Sequence, residues 1–180
     1  MNKLISSILL YLCCFFSVNV ILARDKESVS AILFPQKLSL VFIGNSITEA
    51  TYLKVTPPMA ATSYLQTLGY DVKSINCGIS GYNSNDFQPG SKAFVRVMNL
   101  ASKINQKGYQ LIFSISLGTN DSPSKGTNGS PVEAAMFKHN IQTIIDSLHS
   151  AFPLAVFMLN YPLWYSENTQ NGAVYLKDGL

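Results

Sequence analysis

From residue 38 to residue 159 the chain alternates short, nearly continuous apolar runs with longer segments whose apolar residues recur every three or four positions. No other feature narrows the possible folds as much. A continuous apolar run suits a strand buried on both faces, as in a parallel sheet. A period near 3.6 suits a helix with one face on a core. The strand-like runs fall at 38–43 (LSLVFI), 71–77, 111–117 (LIFSISL) and 154–159. The helix-like segments fall at 57–68, 91–107 and 131–152. Pro57 and Pro58 suit a first helical turn, and Gly69 and Gly108 stop the first two helices. In the third, Phe137, Ile141, Ile144, Ile145 and Leu148 share one face. The order β-α-β-α-β-α-β predicts an α/β protein with a parallel sheet covered by helices on both faces. Right-handed crossovers put every strand's C-terminal end on one edge, where such sheets carry their chemistry.

The first three strand ends are followed by residues suited to acyl transfer. Gly44-Asn45-Ser46-Ile47-Thr48 follows the first, so Ser46 is a candidate nucleophile at the start of a turn. Asn76-Cys77-Gly78-Ile79-Ser80-Gly81-Tyr82-Asn83 follows the second, with glycines that allow unusual backbone angles and close approach to a ligand. Gly118-Thr119-Asn120-Asp121 follows the third and offers a side-chain amide. An attacking oxygen and donors aimed at an oxyanion are what ester chemistry needs. Each piece alone is ordinary turn or cap chemistry. Other enzyme motifs fail: Thr48 stands where a nucleophile elbow needs its second glycine, and no G-x-G-x-x-G or P-loop lysine follows the first strand.

In order and spacing these three segments resemble the SGNH (GDSL-like) hydrolases. GNSIT around Ser46 is similar to the first block of that family, written GDSIT or GDSL. Ile79-Ser80-Gly81 is similar to the second block, and Leu117-Gly118-Thr119-Asn120-Asp121 to the third. The resemblance covers roughly residues 38–162. It implies a three-layer α/β/α flavodoxin-like fold with its last strand missing, and a carboxylic ester hydrolase that needs no cofactor or metal. It also implies Ser46 as nucleophile, with an oxyanion hole made by the N–H groups of Ser46 and Gly81 and the amide of Asn120. Asn45 departs from the pattern, where the family often has Asp, with little effect expected.

A serine hydroxyl also needs a base. His139 and His149 both fall on the third helix, off the centre of its apolar face, and read as solvated helix histidines. The resemblance implies a base from an Asp-x-x-His block after a fifth strand. Asp178-Gly179-Leu180 echoes its opening, but only about seventeen residues separate it from the fourth strand, short for a helical crossover plus another strand. Residues 172–180 read better as the start of a helix. The expectation is therefore an incomplete hydrolase with poor turnover, its fourth strand an exposed apolar edge.

Residues 1–23 stand apart. Lys3 precedes an apolar stretch over 4–22, broken by Ser6, Ser7, Ser17 and Asn19, and Ala23 precedes Arg24-Asp25-Lys26-Glu27. This predicts a signal peptide cut after Ala23, a secreted or periplasmic protein, and one domain over 24–180 with no membrane attachment after cleavage. An uncleaved anchor is the competing reading. Cys13 and Cys14 lie in the leader, so the mature chain keeps only Cys77 and forms no internal disulfide. Net charge is +3 with no basic cluster, which argues against a nucleic-acid partner.

For substrate, the polar loop at 122–130, Asn83, Asn85 and Asp86, with Tyr161, Trp164 and Tyr165, suggests a sugar-stacking rim. With the leader this points to a carbohydrate O-acetylesterase acting on a small-molecule or glycan ester. A lysophospholipase or thioesterase needs an apolar groove, of which the loops give little sign. A non-catalytic glycan-binding or vestigial protein is the reading from outside enzymology.

Overall fold

The structure, a computed structural model, describes residues 36–123 and 130–162. Within them the chain runs β1 (Lys37–Gly44), α1 (Ser46–Glu49), α2 (Pro57–Thr67), β2 (Asp71–Asn76), α3 (Lys92–Ile104), β3 (Gln110–Ser116), α4 (Ala134–Ala151) and β4 (Val156–Leu159). The four strands pair in the order β2-β1-β3-β4, all parallel. This is the α/β parallel sheet the sequence predicts. Strands β1 and β3 sit side by side at its centre.

Two cores hold the helices on the two faces. Val41, Ile43, Phe113 and Ile115 point to one side, where Phe94, Val97 and Ala101 of α3 and Ile144 and Leu148 of α4 cover them. Leu38, Leu40 and Val72 point to the other, with Leu65 of α2 packed against them. Alternate residues of β1 thus serve opposite cores, which is why its run is apolar apart from Ser39, whose hydroxyl donates to Ile104 O. The helices begin where side chains cap them: Thr56 accepts from Met59 N and Ser91 from Phe94 N.

Three boundaries differ from expectation. Helix α4 starts at Ala134 rather than Pro131, because Val132 N donates to Asp121 O at 2.8 Å and draws the preceding segment toward the end of β3. Helix α3 ends at Ile104, with Asn105 closing it onto Ala101 O. The helix α1 was not foreseen, since four residues are too few to show a period. Among the described residues β4 pairs with β3 alone, and Val156, Met158 and Leu159 are exposed. The leader over 1–23 and the segment 163–180, with Trp164, Tyr165 and Asp178, lie outside the described residues.

Candidate active site

Parallel pairing brings the ends of β2, β1 and β3 to one edge, with β1 in the middle. Gly44 is level with Ser116, and Phe42 with Asn76, so the three following loops start at nearly the same height. Ser46 therefore stands between the segment carrying Gly81 and the one carrying Asn120.

Ser46 opens α1 directly after the central strand. Asn45 is buried, and its Oδ1 accepts Ile47 N–H at 3.0 Å while its carbonyl takes Thr48 N–H and Glu49 N–H. This leaves Ser46 N–H as the first-turn amide with no partner among the described residues. The Asn45 side chain acts through its oxygen, which an aspartate would also offer. The departure from the family's usual residue thus leaves the cap intact. Ser46 itself is half-buried.

The loop after β2 is bound tightly to α1. Ile79 N donates to Gly44 O at 3.0 Å. Asn76 Nδ2 donates to Thr48 O at 2.7 Å and Glu49 O at 3.3 Å, while its Oδ1 accepts Gly78 N–H at 2.9 Å. Gly78 lies flat on the α1 backbone: a Cβ there would meet Glu49 N at 2.4 Å. Glu49 reaches back to accept both the N–H and the hydroxyl of Ser80. Gly81 then takes φ +80°, the left-handed angle glycine adopts freely, inside a turn closed by Tyr82 N–H on Ile79 O.

The loop after β3 closes the group from the other side. Asn120 Nδ2 donates to Tyr82 O at 2.9 Å, one residue from Gly81. An amide nitrogen carries two hydrogens, so this bond orients the group and uses one of them. Asn120 O in turn accepts the Ser130 hydroxyl. Asp121 is fully buried and accepts Ser84 N–H at 2.9 Å and Gly118 N–H at 3.0 Å. Burial raises its pKa above the ordinary carboxylate value, although those donors favour the charged form and oppose the shift.

The structure thus brings Ser46, Gly81 and Asn120 to adjacent loops on one edge. It revises the sugar-rim reading for Asn83, whose side chain is buried. Asn83 and Ser84 are fully buried, Asn83 N–H donates to Asp86, and Asn85 N–H to Asn83 Oδ1. Asn140 of α4 donates to Ser84 Oγ at 2.9 Å and Asn85 Oδ1 at 2.8 Å. Asn83 and Ser84 brace the loops from inside, while Asn85 is exposed and Asp86 half-buried. Tyr161, by contrast, is 98% exposed after β4.

His139 and His149 are exposed on α4, as the sequence predicts, and His149 sits edge-on to Phe157. Neither imidazole hydrogen-bonds to a described residue of the site. Among the described residues no group of His, Cys, Asp and Glu could hold a metal ion, and no helix is long and apolar enough to cross a membrane. The expected lack of an apolar groove is also revised. An open groove of about 260 Å³ lies between Ile115, Leu117, Phe137, Ile141, Leu159 and Pro162. It adjoins Gly118, whose Cβ position is 3.0 Å from Pro162.

Sequence reasoning did not single out Glu49, Asn76, Ser80 or Asn140. Asn140 left a signal: it is three residues after Phe137 and four before Ile144, a polar residue on an apolar stripe. The other three become visible only once two strand ends are side by side.

A family model described as GDSL-like lipase/acylhydrolase matches residues 40–177. Among solved structures, AlinE4, an SGNH-hydrolase family esterase, is similar with a TM-score of 0.50 and 18% identity, over 68% of this chain and 58% of its own. A protein from Lactobacillus plantarum is similar at TM-score 0.48 and 19% identity, over 79% of this chain and 65% of its own. The chain spans under two thirds of the length of either. At these identities the likeness to AlinE4 concerns the fold alone. No curated protein matches the chain.

Proposed function

The chain belongs to the GDSL-like lipase/acylhydrolase, or SGNH hydrolase, family, and from that premise we propose that it is a serine ester hydrolase with Ser46 as nucleophile. Ser46 Oγ attacks the ester carbonyl carbon, the carbonyl π electrons move to oxygen, and the resulting oxyanion is held by Ser46 N–H, Gly81 N–H and Asn120 Nδ2. Collapse of that intermediate expels the alcohol and leaves an acyl-Ser46 ester, which water then hydrolyses. The observation that carries the reading is the locking of three strand-end loops: Ile79 N–H on Gly44 O, Gly78 against the α1 backbone, and Asn120 Nδ2 on Tyr82 O. Rigid placement of donors before the reaction is what makes such a site effective. The Ser46 proton needs an acceptor. His139 and His149 are not placed for that role, and the Asp178 echo of an Asp-x-x-His block lies outside the described residues.

The finer proposal is that the ester is an O-acetyl group on a carbohydrate met outside the cell. The leader-like residues 1–23 and the exposed Tyr161, a flat platform for a sugar face, support it. Export predicts a mature protein whose intact mass begins at Arg24. The apolar groove beside Gly118 favours a second reading, a lysophospholipase- or thioesterase-like preference for longer acyl chains. Hydrolysis of p-nitrophenyl acetate, p-nitrophenyl decanoate and an acetylated xylan separates them. Acetyl release with little decanoate turnover supports the first, and the reverse order supports the second. A Ser46→Ala variant as active as the unsubstituted chain on every ester would end both.

A further inference from the structure

Glu49 joins the two segments that carry the candidate backbone donors. It closes α1 three residues after Ser46, and its carboxylate crosses to the loop after β2. There Oε2 accepts Ser80 N–H at 2.8 Å and the Ser80 hydroxyl too. Ser80 is bonded to Gly81, and its carbonyl shares one rigid peptide plane with Gly81 N–H. The orientation of that plane decides where Gly81 N–H points.

Three observations define how the plane is held. Gly81 has φ +80°, and the turn around it is closed by Tyr82 N–H on Ile79 O at 3.2 Å. A four-residue turn has two common forms that differ by a flip of its central peptide, so turn closure alone leaves the plane's direction open. Holding Ser80 by its N–H, which belongs to the preceding Ile79–Ser80 peptide, and by its hydroxyl anchors the residue from which the Ser80–Gly81 peptide extends. Bonds to an ionised acceptor are about twice as strong as neutral ones, which suits a carboxylate to the task. The acceptor also stands on α1, so the bond sets the loop relative to Ser46 itself.

We infer that Glu49 is a positioning residue, holding the Ser80–Gly81 peptide so that Gly81 N–H and Ser46 N–H converge on one oxyanion. This rests on the hydrolase reading of Ser46 and adds a role that neither the nucleophile nor the donors supply. Glu49 touches no reacting atom in it. Its carboxylate acts as an acceptor and not as the base for the Ser46 proton, so a neutral acceptor of the same shape can replace it.

The test compares Glu49→Ala, Glu49→Gln and Ser46→Ala with the unsubstituted chain on p-nitrophenyl acetate, with Tm measured for each. A displacement on the order of 1 Å in a catalytic constellation costs up to roughly 100-fold, so Glu49→Ala is expected to lower kcat by about 10- to 100-fold with KM within about twofold. Glu49→Gln, which keeps an oxygen for Ser80, is expected to recover most of that loss. Full kcat in Glu49→Ala overturns the inference. So does a loss in Glu49→Gln as large as in Glu49→Ala, which would assign the role to charge or proton transfer. So does a kcat loss matched by a collapse in Tm, which would make the contact merely structural. Activity that survives Ser46→Ala, or no ester turnover by the unsubstituted chain, instead overturns the reading of Ser46 on which it rests.

Discussion

Replacing Gly78 with alanine should damage the site and the fold together, by amounts the geometry sets. The new Cβ would lie 2.4 Å from Glu49 N and 2.9 Å from Glu49 Cα and Thr48 C. All three are backbone atoms of α1, so no side-chain rotation relieves the overlap. Ordinary contact begins at 3.4 Å, so the loop and α1 must part by about 1 Å. Two short bonds oppose that movement, Asn76 Nδ2 to Thr48 O at 2.7 Å and Ile79 N–H to Gly44 O at 3.0 Å. Overpacking of this kind costs about 1–3 kcal/mol. At roughly 2–4 °C per kcal/mol for a chain of this size, Tm should fall by about 2–12 °C. Because α1 carries Ser46, a shift of about 1 Å should also lower kcat on p-nitrophenyl acetate by up to about 100-fold. Thermal denaturation followed by circular dichroism gives the first number and initial rates give the second. An alanine variant with unchanged Tm and unchanged kcat would refute the claim that these loops are locked by contact.

The other predictions concern groups inside the site's supports. Asn140→Leu removes the hydrogen bonds to Ser84 Oγ and Asn85 Oδ1, so it should cost about 1–3 kcal/mol, read as a lower urea midpoint; an unchanged midpoint would show that the network carries no stability. Burial raises the pKa of Asp121, so the folded state holds this proton more tightly than the unfolded chain. Its contribution to stability is present below the unfolded pKa and fades as pH rises through the folded one, the reverse of a salt-bridged carboxylate. The stability advantage of the unsubstituted chain over Asp121→Asn should therefore shrink as pH is raised from acid toward neutral, and an advantage that grows would contradict this. Cys77 is buried, and desolvation pushes its thiol up to about 11 against the nearby Arg96 charge. It should resist iodoacetamide at pH near 8 in the native state and react on unfolding; rapid native labelling would show the position to be open.

The layered fold was legible because burial on both faces makes β1 and β3 mostly apolar, while Pro57, Gly69 and Gly108 mark where helices start or stop. The strand-end rule points to the loops after β1, β2 and β3, and the resemblance to the SGNH hydrolases implies Ser46, Gly81 and Asn120 within them. What failed to show was the meaning of polar residues. Asn83 and Asp86 look the same in sequence whether they face a sugar or each other, and only the folded loop shows that they brace it. Glu49, Asn76 and Ser80 act across 27 to 31 residues of chain, beyond any local pattern. The apolar groove beside Gly118 was hidden for a similar reason. Its walls come from β3 and α4, which read as ordinary core, and from β4, which reads as an apolar edge.

The most direct test of the account is covalent labelling of Ser46 by an alkyl fluorophosphonate, which reacts with a serine only where an activated hydroxyl and oxyanion donors meet. The purified chain is incubated with the probe, digested and analysed by mass spectrometry. One adduct is expected, on the peptide containing Ser46, lost in Ser46→Ala and weakened in Asn120→Ala. No adduct, or an adduct on a different serine that persists in Ser46→Ala, would contradict the assignment of the nucleophile and of the site built around it.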